Sequence, residues 1–171
     1  MVHTIYPTKR FRPHRWRKYE DHWRFTVGRD PLKRLFSAYT DREVARRELY
    51  NSRLLRKQKV LPLDPDPDFF FQNLEGYMAQ ASVVKHHVLP AWLFIGPAPL
   101  RYDAVYKTSQ IDALAEKLSA LTGETVEIPR FNSTRTRLAF DDLAPETRDA
   151  LRTFLAVDYE HLAGYYKNPM L

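Results

Sequence analysis

The chain of 171 residues contains no cysteine. That excludes a disulfide scaffold, thiolate-ligated zinc, an iron–sulfur cluster and a cysteine nucleophile. Glycine is almost as scarce, with five residues at 28, 76, 96, 123 and 164, no two of them close together. A dinucleotide fingerprint or a Walker-type phosphate loop needs clustered glycines and is therefore absent. No apolar run approaches the roughly 18 residues that a membrane span requires. The basic N-terminus is not followed by the apolar segment of a secretory signal, so the expected location is cytoplasmic.

What is present is a globular composition, 44% hydrophobic and 28% charged, of a length that suits one domain. Its charge is uneven. Residues 1–59 carry 17 Lys and Arg against 6 Asp and Glu, whereas residues 60–171 carry 10 against 15. A basic third points to a polyanionic partner or to a solvated basic face.

Residues 1–23 mix Arg, Lys, His and aromatics without a period and read as an irregular arm, leaving residues 24–171 as one domain. In the arm Tyr6, Phe11, Trp16, Tyr19 and Trp23 interleave with six Lys and Arg. Three readings fit that pattern: aromatics packed on a core face, an acidic glycan site, or single-stranded nucleic acid, the last ranked lowest.

Arg24–Gly28 reads as a short buried strand. Asp30 is placed to cap a helix whose first residue is Pro31, with Leu32, Leu35, Phe36 and Tyr39 at helical spacing and the helix continuing to about Lys59. The Pro- and Asp-rich stretch 60–68 reads as a loop, followed by a helix over 69–80 capped by Asp66 or Asp68. Ser82–Val84 is read as a strand and Asp103–Lys107 as a second buried strand. A helix from Thr108 or Ser109 to Thr122 carries the stripe Ile111, Leu114, Leu118 and Leu121 and stops at Gly123. Residues 124–142 read as a loop. A helix opens at Pro145 and runs through Leu155, with a last helical turn at 158–165. Strands followed by capped helices indicate an α/β fold with a small parallel sheet.

The sharpest local signal is Arg29-Asp30-Pro31 with Ser37 further along, directly after a strand. It reads as an anion site in which the Arg29 fork, free amides at the helix start and the Ser37 hydroxyl converge.

The segment Phe25–Tyr39 resembles the 3′-phosphate-binding motif of the carbohydrate sulfotransferases, the Golgi type and its bacterial relatives. Further similarities follow in order: the Phe-rich segment Asp68–Tyr77, His87-Val88-Leu89-Pro90 like the family's His-x-x-Pro, Tyr102-Asp103, Ile128-Pro129 through Asn132-x-Thr134, and Leu143–Tyr159. The resemblance spans about residues 24–166. It implies a P-loop-like sulfotransferase fold, a small parallel sheet flanked by helices. It implies transfer of a sulfuryl group from 3′-phosphoadenosine-5′-phosphosulfate (PAPS) to a carbohydrate hydroxyl, with a saccharide or glycan acceptor and no metal. Arg29 and Ser37 would hold the 3′-phosphate and His87 would be the base. Arg135, with Lys85 and Arg137, is an available cation, and Arg135 is assigned to the donor. His86 is the competitor of the adjacent His87 for the role of base, and a metal held by the His pair ranks low because neighbours on a strand face apart.

The sequence departs from that family in lacking a Lys-x-Gly-x-(Thr/Ser) loop before Gly28, and in having Ala91 and Ser109 where Gln and an acidic residue stand. The fold is therefore expected to be N-terminally reduced. Either a first strand and helix are missing, or the arm replaces them, or the protein binds adenosine 3′,5′-bisphosphate or an acidic glycan without transfer. An uncovered sheet edge would favour an oligomer.

Overall fold

The structure is a computed structural model and describes residues 9–129 and 138–171, with the side chains of 42–44 excepted. Arg135 and Arg137, and the Asn132 and Thr134 of the resemblance, lie outside the described residues.

The arm contains a short helix, α1 (Pro13–Arg17), opened by Pro13 where a missing N–H costs nothing. Strand β1 (Phe25–Gly28) follows. Helix α2 (Pro31–Ser37) begins after the Asp30 cap, whose carboxylate accepts from the Lys33 amide at 2.9 Å. The chain beyond α2 does not stay α-helical to Lys59. The Ala38 amide is shared between the Arg34 and Leu35 carbonyls, and wide π-type turns run over Ala38–Ala45. Arg47 then enters the left-handed region at φ 50° and ends the rod, and a single 3₁₀ turn spans Glu48–Asn51. A separate helix α3 (Arg53–Gln58) follows, capped by Ser52.

Asp66 caps α4 (Pro67–Gln72), and Asn73 interrupts the expected 69–80 helix before α5 (Leu74–Gln80). Ser82–Val84 is not a strand. It opens α6 (Ser82–Val88), because Val84 and Val88, one turn apart, both go into the core. After α7 (Trp92–Ile95) comes β2 (Ala104–Lys107), then a 3₁₀ turn and α8 (Ile111–Thr122), stopped by Gly123 at φ 74°. Of the stripe read on α8 only Leu114 is buried, and Leu121 is 49% exposed. Helix α9 (Pro145–His161) is continuous where two pieces were expected.

Strands β1 and β2 pair in parallel, Phe25 with Ala104 through Gly28 with Lys107, so both carboxyl ends lie on one side. The hydrophobic core lies among the helices: Leu35 and Phe36 of α2, Phe70 and Tyr77 of α4 and α5, Val84 of α6, and Leu151 and Leu155 of α9. The Gln72 amide donates to the buried Thr147 hydroxyl at 2.7 Å and Asp68 accepts the Ala144 amide at 2.9 Å, which fixes the start of α9 on α4. That clamp brings the far end of α9 to the start of α2, beside the sheet end. Among the described residues no helix is long and apolar enough to cross a membrane.

Candidate functional site

The carboxyl ends of parallel strands are where open α/β sheets place ligands. Here that edge is made by Gly28 at the end of β1, with Arg29 directly after it, and by Lys107 at the end of β2. Tyr166, from the segment after α9, donates its hydroxyl to the Gly28 carbonyl at 2.9 Å and lays its ring 5.4 Å below the Lys107 ammonium. A side chain at position 28 would contact that ring.

Arg29 is exposed, and its guanidinium has no hydrogen bond or ion pair among the described residues. The protein packed around its head and, secondly, the like charge of Arg34 hold its pKa below the usual arginine value, while Asp30 and Tyr166 work in the opposite direction. An unpaired cation set against another cation is a place where a bound anion relieves repulsion.

The start of α2 contributes less than its sequence promised. Pro31 has no amide hydrogen, Lys33 donates to Asp30, and the Leu32 amide donates to the Tyr159 hydroxyl at 3.3 Å. That hydroxyl in turn donates to the Asp30 carboxylate at 3.2 Å. Burial first, and then the nearby Asp30 charge, push the Tyr159 phenol up, so it stays a neutral donor. The first-turn amides are thus spent within the protein, and only side chains are left at this end to meet an anion.

Ser37 is half-buried at the end of α2, and its hydroxyl has no partner among the described residues. About 10 Å of helix rise separates it from Asp30. An anion touching both Arg29 and Ser37 must lie along the helix, over the stripe that carries Lys33 and Arg34.

His87 sits in the last turn of α6 and is half-buried. It is helical, not extended, so the His86 and His87 rings do not point to opposite faces; they meet edge to face with centroids 5.4 Å apart. Arg34 fixes this turn. Its Nη1 donates to the carbonyls of His87 (3.0 Å) and Leu89 (2.8 Å), and its Nη2 to Asp158 at 2.8 Å. The other Asp158 oxygen accepts the Ala91 amide at 2.7 Å. Burial raises the Asp158 pKa more than Arg34 and the Ala91 amide lower it. Arg34 therefore connects the two ends of the site: its charge is felt at Arg29, and it grips the backbone of His87.

Lys85 is exposed on α6. Residues that the sequence reading missed are Arg34, Asp158, Tyr159, Lys107 and Tyr166. Arg34 lay inside the Arg29 motif and Asp158-Tyr159 closed the resemblance, but their pairing spans more than 120 residues and has no local signal.

The sequence model of the Sulfotransferase family matches residues 3–165. No curated protein and no solved structure matches the chain. With a parallel strand ending in an unpaired arginine, a capped helix behind it, and a family match over nearly the whole length, the chain belongs to the sulfotransferase family.

Proposed function

We propose that the protein transfers a sulfuryl group from PAPS to a carbohydrate hydroxyl. Family membership supports sulfuryl transfer in general. The observation that carries the donor assignment is Arg29, a cation without a partner, crowded by Arg34 at the carboxyl edge of the sheet. That donor set fits the dianionic 3′-phosphate of PAPS, and Ser37 adds a hydroxyl donor along the same helix. When bound, the donor supplies an activated sulfuryl group and departs as adenosine 3′,5′-bisphosphate.

In this reading His87 takes the proton of the attacking hydroxyl as the new oxygen–sulfur bond forms and the sulfur–phosphate oxygen bond breaks. Imidazole suits that role near neutral pH. Arg34, by holding the His87 and Leu89 carbonyls, positions the histidine without touching substrate. Lys107 offers a second cation at the strand ends, where negative charge accumulates. The proposed acceptor is a saccharide because the resemblance of residues 24–166 is to the carbohydrate branch.

The test is calorimetric titration with adenosine 3′,5′-bisphosphate, on wild type and Arg29→Ala. Saturable binding that the variant loses supports the donor site, and an acceptor screen with PAPS and oligosaccharides follows. Binding without transfer to any acceptor identifies a donor-binding protein that does not catalyse. No binding by the folded wild type refutes the donor assignment.

A further inference from the structure

Helix α7 is a single turn, joined to α6 and its His87 through Leu89, Pro90 and Ala91. None of its four residues is fully buried. One turn closes too few hydrogen bonds to hold its own place. What grips α7 therefore decides where the chain after His87 lies. Helix α9 grips its start: the Asp158 carboxylate accepts the Ala91 amide at 2.7 Å, and the His161 ring stacks on Trp92 at 5.6 Å with the planes 18° apart. The basic arm grips its far end. The Phe11 amide donates to the Leu93 carbonyl at 2.7 Å, and the Phe11 ring lies against Gly96, directly after the helix.

The fit of that ring is close. Gly96 is buried at φ 92°, a conformation that glycine takes without strain, and a Cβ there would stand 3.0 Å from the ring. Trp16 backs Phe11 at 5.8 Å and meets Tyr102 edge-on at 4.9 Å, which keeps the arm on the body. From α7 the contacts lead on to the histidines. The Phe94 ring meets His86 edge to face at 6.2 Å, and His86 meets His87 in the same way at 5.4 Å. A second route runs from the Ala91 amide through Asp158 to Arg34, which holds the His87 and Leu89 carbonyls.

We propose that Phe11 is a positioning residue for the transfer reaction: by pinning α7 it fixes the place of the His86–His87 turn. The placement of that turn is argued from the contacts alone. Its consequence for turnover rests on the reading of His87 as the base. The arm's charge plays no part, since Arg12, next to Phe11, is exposed and its side chain has no partner among the described residues. A catalytic group misplaced by about 1 Å can cost as much as about 100-fold in rate. Arg29 and Ser37 stand on the β1–α2 unit, outside both routes. Loosening α7 therefore lowers kcat and leaves donor affinity as it was.

The test compares the full-length wild type with Phe11→Ala, Phe11→Leu, Gly96→Ala and the control Arg12→Ala, each verified as folded by circular dichroism. The first readout is the ring C–H resonances of His86 and His87 in histidine-labelled protein, assigned with His86→Gln and His87→Asn. They feel the ring current of Phe94 and so report where α7 lies, with no substrate present. Phe11→Ala should shift both, Gly96→Ala should shift them by displacing the ring from the other side, and Phe11→Leu should restore most of the wild-type position. Arg12→Ala should shift neither. The second readout is kinetic. Phe11→Ala should lower kcat about tenfold, with the affinity for adenosine 3′,5′-bisphosphate kept within about twofold. Unchanged histidine resonances in Phe11→Ala and Gly96→Ala overturn the placement, whatever the turnover. Shifted resonances with unchanged kcat, in an enzyme that His87→Asn inactivates, overturn the catalytic role of Phe11. Turnover that survives His87→Asn refutes the base assignment instead, and the resonances still decide the placement.

Discussion

Arg34 and Arg12 both belong to the basic N-terminal third, and they do opposite work. Arg34 directs its Nη groups to two carbonyls and a buried carboxylate, joining α2, the turn after α6 and α9. Arg12 is exposed and its side chain bonds to nothing among the described residues. The same formal charge is structural in the helical body and unspent in the arm. Net charge by segment is therefore a poor guide to binding. What matters is which cations remain after the protein has satisfied its own carboxylates and carbonyls.

The contrast can be broken most directly at Arg34. Arg34→Ala leaves Asp158 buried without its counter-ion and should cost about 3–5 kcal/mol in chemical denaturation. Arg12→Ala should change stability by no more than about 0.5 kcal/mol. Similar losses in the two variants would erase the distinction.

A smaller effect is expected at Asp30, which caps α2 and also receives the Tyr159 hydroxyl. Asp30→Ala should lose about 1–2 kcal/mol, again by denaturation. Where the arm meets the body the matching site is Gly96, just after α7, at φ 92° with the Phe11 ring of the arm against it. Gly96→Ala should destabilise by about 1 kcal/mol and expose Trp16, read by its fluorescence.

Asp158 sharpens the comparison through pH. Its pKa in the fold lies above the ordinary carboxylate value, with burial as the main cause. The folded protein therefore holds this proton more tightly than the unfolded chain. The contribution is full below the ordinary carboxylate pKa and is lost as pH rises through the raised value. Asp158→Asn should flatten that part of a stability–pH profile, and an unchanged slope would contradict the assignment. Arg29→Ala should, like Arg12→Ala, change stability by about 0.5 kcal/mol or less, because the Arg29 guanidinium holds no partner among the described residues.

Much of the fold was legible where the signal is local. Asp30-Pro31 marked the start of α2, the short apolar runs marked β1 and β2, and Gly123 marked the end of α8. The strands are not buried as expected: β2 is half-buried throughout and Phe25 of β1 is exposed, because a two-stranded sheet has little to cover it. The break at Arg47 was not legible, because no glycine or proline announces it. π-type turns precede it, and in them the Thr40 hydroxyl donates to the Phe36 carbonyl at 3.0 Å. Val83-Val84 carried a strand propensity that the burial of Val84 and Val88 on one helical face overrode. At the site, Arg29 stood out by its position after a strand. Of the amides expected to be free beside it, that of Lys33 goes to the Asp30 carboxylate and that of Leu32 to the Tyr159 hydroxyl, 127 residues away. Contacts of that span leave no trace in a local pattern.

The parallel register of β1 and β2 also has a consequence for biosynthesis. Arg24 and Asp103, which meet at the start of the sheet, are 79 residues apart. At about 5–20 residues per second, the ribosome needs roughly 4–16 s to synthesise the partner after β1 is made. Throughout that interval Phe25 and Val27 have no strand beside them, and the basic arm is the nearest segment already available to shield them. Of the arm's ring contacts, that of Trp23 on Phe25 joins residues already made, whereas Phe11 and Trp16 must wait for Leu93, Gly96 and Tyr102, so the arm and the second strand settle in the same late step.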